Sequence, residues 1–237
     1  MIKIEDMSVI YQPDIKALDH IYLSLDSKHY TIVGQNGSGK STFLQSLVGI
    51  VEHSGSIIID DLEVKKEHLV DIRKKVGLVF QNPDHQLFMA TIYDDLAFGL
   101  INQKMPKDKI DQKIKYIASK FNIESLLYRS AHQLSEGQKR MVAILTVLIM
   151  EPDIILMDEP SSFLDPKSRR QLIHLIQGID KTLIISTHDL DMALEISDEV
   201  ILLNEGKIVI QDEKDLVLTN QSLLEENGLE LPYCLSR

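Results

Sequence analysis

Cysteine is almost absent: Cys234 is the only one in 237 residues and lies near the end of the chain. Neither an internal disulfide nor a cysteine-built metal cluster can form within one copy, and a reducing compartment suits such a composition. Long apolar runs are missing as well. The longest candidate, residues 144–150, falls far short of the roughly 18 residues that suggest a spanning helix, so any service to a membrane would be that of a peripheral partner on its cytoplasmic face. The opening Met1-Ile2-Lys3-Ile4-Glu5-Asp6 alternates apolar and polar residues as a half-buried strand does, and lacks the apolar stretch of a signal peptide. Basic residues are in deficit, with 25 Lys plus Arg against 36 Asp plus Glu and a formal net charge of −11. That balance repels a phosphate backbone and argues against nucleic acid as a partner. Internal repeats, low-complexity stretches and flexible linkers do not occur. What is present is apolar material, 44% of residues, enough for a substantial core in one large domain or two lobes and too much for disorder.

Short apolar runs at residues 2–5, 21–25, 30–33, 56–59, 76–80, 154–158, 183–186 and 200–203 read as strands. The later ones are apolar throughout, as strands covered on both faces are. Helical segments fall between them, which predicts an α/β core around a mostly parallel sheet. From Pro83 to about Met150 the pattern changes: Ile110, Ile114, Ile117, Ala118 and Phe121 recur at helical spacing and no strand is apparent. An inserted helical lobe over about residues 84–150 is expected. Asn204-Glu205-Gly206 reads as a hairpin turn into residues 207–211, and residues 213–237 read as a helical tail without a motif.

Gly34-Gln35-Asn36-Gly37-Ser38-Gly39-Lys40-Ser41 fits the pattern G-x-x-x-x-G-K-[ST], follows an apolar strand and leads into a helix carrying Leu44, Leu47 and Val48. Small residues let successive backbone N–H groups curl around an anion at a helix N-terminus. Lys40 adds a positive charge for β- and γ-phosphates, Ser41 a hydroxyl for Mg²⁺, and Thr42 continues the same turn. The motif predicts nucleotide binding, which many unrelated P-loop enzymes share. A second motif, Ile154-Ile155-Leu156-Met157-Asp158-Glu159-Pro160, ends an apolar strand in two acids. Asp158 would share the Mg²⁺ at the carboxyl end of the sheet, and Glu159 could polarise or deprotonate an attacking water.

Between these motifs stands Leu134-Ser135-Glu136-Gly137-Gln138, which closely resembles the Leu-Ser-Gly-Gly-Gln hallmark of ATP-binding cassette (ABC) proteins. The resemblance extends over residues 2 to 210. Gln81 is similar to the family's Q-loop residue, a catalytic contact and metal ligand, and Ser162-Phe163-Leu164-Asp165 to its D-loop. His188 resembles the switch histidine, and Tyr11 occupies the place of the aromatic that stacks on adenine. The resemblance implies a P-loop NTPase (RecA-like) core with an N-terminal antiparallel β subdomain and an inserted helical subdomain, together occupying residues 1–212. It also implies a homodimer, or a heterodimer with a second ABC ATPase, in which Ser135, Gly137 and Gln138 would meet the γ-phosphate of an ATP held by the opposite chain. Lys40, Gln81, Glu159 and His188 would then be the catalytic group. Two departures stand out: Glu136 replaces a glycine of the hallmark, and Phe163 is bulkier than the usual D-loop residue.

Phe80-Gln81-Asn82-Pro83-Asp84-His85-Gln86-Leu87-Phe88, followed by Thr91 and Asp94-Asp95-Leu96-Ala97-Phe98-Gly99, looks like the corresponding segment of energy-coupling-factor importers. That likeness implies an ATPase working with a transmembrane coupling subunit and a membrane-embedded substrate-binding subunit. Cargo would be a trace metal ion or a vitamin, and residues 228–232 slightly resemble the cobalt and nickel branch. A soluble cassette unconnected with transport, and a regulatory cassette that no longer hydrolyses ATP, are the alternatives.

Overall fold

The computed structural model describes residues 1–11, 14–26 and 28–236. Its first sheet is antiparallel and built from β1 (Ile2–Tyr11), β2 (Ile15–Leu25), β4 (Ser54–Ile59) and β5 (Leu62–Glu63), in the order β2-β1-β4-β5. Alternation drives it: Ile2, Ile4, Ile57 and Ile59 point into the core while their neighbours face solvent. Both of the first two strands run longer than their apolar patterns predict. Asp6 and His20 adopt left-handed φ values of 55° and 53° at irregularities in the register, and Asp6 Oδ1 lies 2.6 Å from His20 Nδ1. The pairing therefore continues beyond the point where the sequence alternation breaks.

The second sheet has the order β10-β9-β3-β8-β7-β6. Its members are β3 (His29–Val33), β6 (Val76–Val79), β7 (Ile154–Asp158), β8 (Thr182–Ser186), β9 (Glu199–Asn204) and β10 (Lys207–Glu213). All neighbours are parallel except the β9/β10 hairpin. The carboxyl ends of β3, β7 and β8 thus open on one edge, where parallel α/β sheets place ligands.

Helix α1 (Lys40–Leu47) follows β3 and buries Phe43, Leu44 and Leu47 against the first sheet and β7. Helix α2 (Leu69–Lys75) escapes sequence reading because Ile72 is its only fully buried residue. Helices α3 (Ile92–Asn102), α4 (Lys107–Phe121) and α5 (Glu136–Leu148) form a lobe with a core of its own, in which Leu96, Leu100, Ile114 and Leu145 are fully buried. Helix α5 belongs to two cores at once, because Ile144 and Val147 pack with Val79, Ile155 and Met157 of the sheet. The same sheet face carries α6 (Pro166–Gln177) and α7 (Leu190–Ile196), while α8 (Lys214–Leu218) and α9 (Gln221–Glu226) bury Val217, Leu218 and Leu224 beside Val33 and Leu202.

Leu156 lies in β7, between β6 and β8, and is inaccessible to solvent. Leu156→Ala is expected to lower the free energy of unfolding by about 2–5 kcal/mol, read from urea denaturation. A loss below about 1 kcal/mol would show that the sheet relaxes around the deletion and that this account of its packing is wrong.

Candidate active site

Between β3 and α1 the chain turns tightly enough to press on its neighbours. A Cβ added at Gly34 would sit 2.0 Å from the carbonyl oxygen of Leu203, and one at Gly39, where φ is 107°, would sit 2.5 Å from that of Ala17. Only glycine gives both the close approach and the left-handed turn. Lys40 opens α1 with its side chain buried, and its ammonium donates to the carbonyls of Gly34 at 2.8 Å and Gln35 at 3.0 Å. Burial pushes the Lys40 ammonium below the ordinary lysine value, and the carboxylates of Glu159 and then Asp158 oppose that push. Ser38 Oγ is buried and has no hydrogen-bond partner among the described residues. A buried hydroxyl left unpaired is costly, so the loop suits a group that brings acceptors of its own, as a phosphate does.

Strand β7 delivers the acids. Asp158 is buried and its Oδ1 accepts from Ser186 Oγ at 2.6 Å and from Ser41 Oγ at 3.0 Å. Glu159 departs from the strand with φ of 47°, a conformation costing on the order of 1–3 kcal/mol in a non-glycine residue. Its N–H is retained by the carbonyl and hydroxyl of Ser186, at 3.0 and 3.2 Å. The Glu159 carboxylate is thereby held between two cationic or potentially cationic groups. Oε1 lies 3.8 Å from Lys40 Nζ and Oε2 lies 2.7 Å from His188 Nδ1.

The other residues singled out in the sequence fall into two places. Gln81 stands on an exposed bend two residues after β6, whose register pairs Val79 with Met157, so it flanks the acid-bearing end of β7. Tyr11 is partly exposed, with its hydroxyl 3.3 Å from Thr42 Oγ1 at the start of α1. By contrast, Ser135, Gly137 and Gln138 line a cavity of about 600 Å³ with Leu164 and Ser168, whereas Gln35, Asn36, Gly37 and Ser38 line a different one. Ser135 caps α5: its hydroxyl accepts from Gln138 N–H at 3.3 Å and its own N–H donates to Gln138 Oε1 at 3.0 Å. The Glu136 carboxylate is occupied by Lys139 at 3.1 Å, and that ammonium also contacts Asp84 at 2.9 Å.

Sequence reasoning missed Ser186, which organises both acids; only the parallel register that pairs it with Asp158 brings it to them, and the sequence carries no signal of that. It also missed Arg140, buried within α5, which donates to the carbonyl of Phe80 at 3.1 Å beside Gln81. Gln86, read in the sequence only as part of the importer-like segment, proves to be a bridge: it accepts from Phe80 N–H at 3.1 Å and donates to Ala143 O and Thr146 Oγ1 at 2.7 and 2.8 Å.

Known proteins share this arrangement of sequence and fold. The family described as ABC transporter matches residues 18–162. An energy-coupling factor transporter ATP-binding protein, EcfA of Carboxydothermus hydrogenoformans, is 42% identical over 236 residues, covering 98% of this chain and 87% of the relative. The EcfA of Pediococcus pentosaceus is 42% identical over 226 residues, covering 93% and 80%. The solved structure of cbiO1 from Clostridium perfringens, described as part of the ABC transporter complex cbiONQ, superposes with a TM-score of 0.82 at 34% identity, covering 98% of this chain and 96% of that one. A dimeric ATP-binding cassette in a post-hydrolysis state, bound to ADP and Pi, gives the same TM-score at 26% identity, covering 90% and 99%.

The segment carrying His188 is braced from behind. Asp189 caps α7 through Met192 N–H at 2.9 Å and grips Arg169 of α6 with both oxygens, at 2.6 and 2.8 Å. Burial alone would raise the Asp189 carboxyl, but Arg169 and Met192 N–H outweigh it and hold the carboxyl below the ordinary value. A depressed folded value adds stability that is present above the unfolded value of about 3.9 and is lost as pH falls through the folded one. Arg169→Ala leaves the carboxylate partly buried and unpaired, at a cost of about 1–3 kcal/mol at pH 7. Urea denaturation should show that deficit shrinking when the pH is lowered to about 3, where the carboxyl protonates in the variant; an equal deficit at both pH values would exclude the ion pair as its source.

Proposed function

The chain belongs to the ABC transporter family, and from that membership we propose how its side chains hydrolyse ATP to drive an importer of the energy-coupling-factor type. The β- and γ-phosphates of ATP enter the loop 34–42, where backbone N–H groups and Lys40 receive them and a phosphate oxygen satisfies Ser38 Oγ. Tyr11 stacks on the adenine from the loop's rim. Mg²⁺ would be held by Ser41, Asp158 and Gln81, and would draw negative charge from the β- and γ-oxygens. Glu159 orients a water and takes its proton as the water oxygen bonds to the γ-phosphorus. The bond to the β–γ bridging oxygen breaks, and ADP leaves with that electron pair while Lys40 and His188 balance the charge. One observation carries this reading. Two consecutive acids are assigned different neighbours, Asp158 to the Ser41 hydroxyl and Glu159 to Lys40 and His188, which separates metal holding from base catalysis.

A second cassette, a copy of this chain or a related ATPase, completes the site. Ser135, Gly137 and Gln138 line a cavity apart from the chain's own phosphate loop, so the N-terminus of the 13-residue helix α5 is available to an ATP held opposite. Phe163, 90% exposed with φ of 63°, suits a contact that only another chain covers. The diversion of Glu136 to Lys139 keeps a carboxylate from standing free at that anion site, which favours an active cassette over a silent regulatory one.

The transmembrane coupling subunit docks on the lobe, holding the chain at the cytoplasmic face of the membrane beside a separate substrate-binding subunit. A groove of about 470 Å³ lies between α2, α3, α5 and the segment after β6, with Phe80, Phe88, Phe98 and Met150 as apolar lining and Arg73 and Lys74 as basic lining. Phe88 and Phe98 meet edge to face at 5.0 Å, yet remain 61% and 41% exposed. An amphipathic helix laid in such a groove would cover them, and this surface favours transport over a soluble cassette. Residues 228–232 favour cobalt or nickel ions as the cargo over a vitamin.

Glu159→Gln is expected to lower phosphate release by at least about 100-fold while ATP still binds, and in the whole complex to abolish cobalt or nickel uptake. Unchanged phosphate release would remove Glu159 as the base, and a wild-type complex that imports a vitamin and neither metal would overturn the cargo. Phe98→Asp should abolish co-purification with a multi-pass membrane protein and leave nucleotide affinity intact. Recovery of the partner at wild-type yield would exclude this groove as the dock.

A further inference from the structure

We propose that the C-terminal tail positions the phosphate loop through a contact between Gly228 and Gln35, so that residues outside the matched cassette region 18–162 set the affinity for ATP. The proposal rests on the reading that this loop binds nucleotide. The tail is firmly seated, since Val217, Leu218 and Leu224 are fully buried beside Val33, the residue that precedes the loop. Beyond α9, Asn227 is fixed from two sides: its Nδ2 donates to Leu223 O at 2.8 Å and its Oδ1 accepts from Asn204 Nδ2 at 3.0 Å. The chain then reverses at Gly228, with φ of 68°, and the Gly228 carbonyl accepts from Gln35 Nε2 at 3.0 Å. A Cβ at Gly228 would lie 1.4 Å from that nitrogen, so no side chain fits there unless Gln35 moves.

Gln35 faces two ways. Its side chain is taken by the tail, while its backbone carbonyl receives Lys40 Nζ at 3.0 Å and Ser38 N–H at 3.1 Å. Displacing the Gln35 side chain therefore disturbs one of the two carbonyls that aim the phosphate-binding ammonium. The β9/β10 turn supplies a parallel strut, with Gly206 N–H donating to Ser38 O at 3.0 Å. Residues 35–38 share a cavity of about 390 Å³ with Asn204, Asn227 and Gly228, so tail and turn form one wall of the loop. Gly228 and Asn204 act through Gln35 and are positioning residues.

The test is the dissociation constant of a fluorescent ADP analogue for the full-length chain, with the KM for ATP and kcat of the whole transporter alongside. Gln35→Ala and Gly228→Ala should each weaken binding by about 2- to 10-fold, as loss of one hydrogen bond predicts. The double variant should be no weaker than the worse single one, because both act on one contact. The KM for ATP should rise in both variants. Equal affinities in all forms, additive losses, or a fall in kcat at constant KM would overturn the proposal. Should Gly228→Ala fail to fold, Asn204→Ala decides: it removes one of the two side-chain hydrogen bonds that fix Asn227 and leaves residues 34–42 themselves unaltered, so weaker binding supports the proposal and unchanged binding overturns it. Failure of the unaltered chain to bind the analogue would bring down the nucleotide reading itself, and this proposal with it.

Discussion

Taking the ammonium of Lys40 out of water costs several kcal/mol unless its donors are satisfied and its charge is balanced, and the surrounding fold is arranged to do both. Two loop carbonyls accept from it, and the carboxylate of Glu159 stands 3.8 Å away. Those carbonyls face the ammonium only because Gly34 and Gly39 allow the loop to lie against Leu203 and Ala17. Glu159 faces it only because Ser186 holds the backbone after β7 in a left-handed turn. The central sheet thus serves to bring the ends of β3, β7 and β8 within reach of one buried cation, and the strain at Glu159 is borne where it redirects a carboxylate.

Helix α5 gives that cluster a mechanical neighbour. Its apolar residues are divided between the lobe core and the sheet core, so it is fixed relative to both. Gln86 bridges the segment after β6 to the carbonyl of Ala143, and Arg140 returns from α5 to the carbonyl of Phe80. A displacement of the groove around Phe88 and Phe98 therefore meets α5 through hydrogen bonds to buried groups, which resist uncoupled movement. The capped N-terminus of the same helix carries Ser135.

Much of this was legible in the sequence because it depends on short-range pattern. The glycines of the phosphate loop, the apolar run into Asp158 and the order of Gln81, Ser135 and His188 are local signals, and the resemblance to ABC proteins supplied their joint meaning. Strand lengths were less legible, because a left-handed Asp6 or His20 breaks alternation without ending the pairing. Ser186 was invisible as a functional residue, since nothing in a lone serine announces that parallel register will set it against Asp158. The tail was the largest gap. Its contact with Gln35 joins residues 193 positions apart, and no periodicity encodes a hydrogen bond between a side chain and a distant carbonyl.

That gap has a physical reading. A phosphate loop must be rigid enough to present its N–H groups without reorganisation when charge arrives, yet the glycines that shape it are the residues with the greatest freedom to lose. Local sequence cannot remove that freedom, so the stiffness has to come from contacts made elsewhere in the fold. Gly206 N–H on Ser38 and Gly228 O on Gln35 are such contacts, and each comes from a segment far along the chain that the fold brings back to the loop. The loop's shape is thus encoded locally by glycine and its rigidity at a distance, which is why the motif alone defines what binds and leaves how tightly to the chain's last elements.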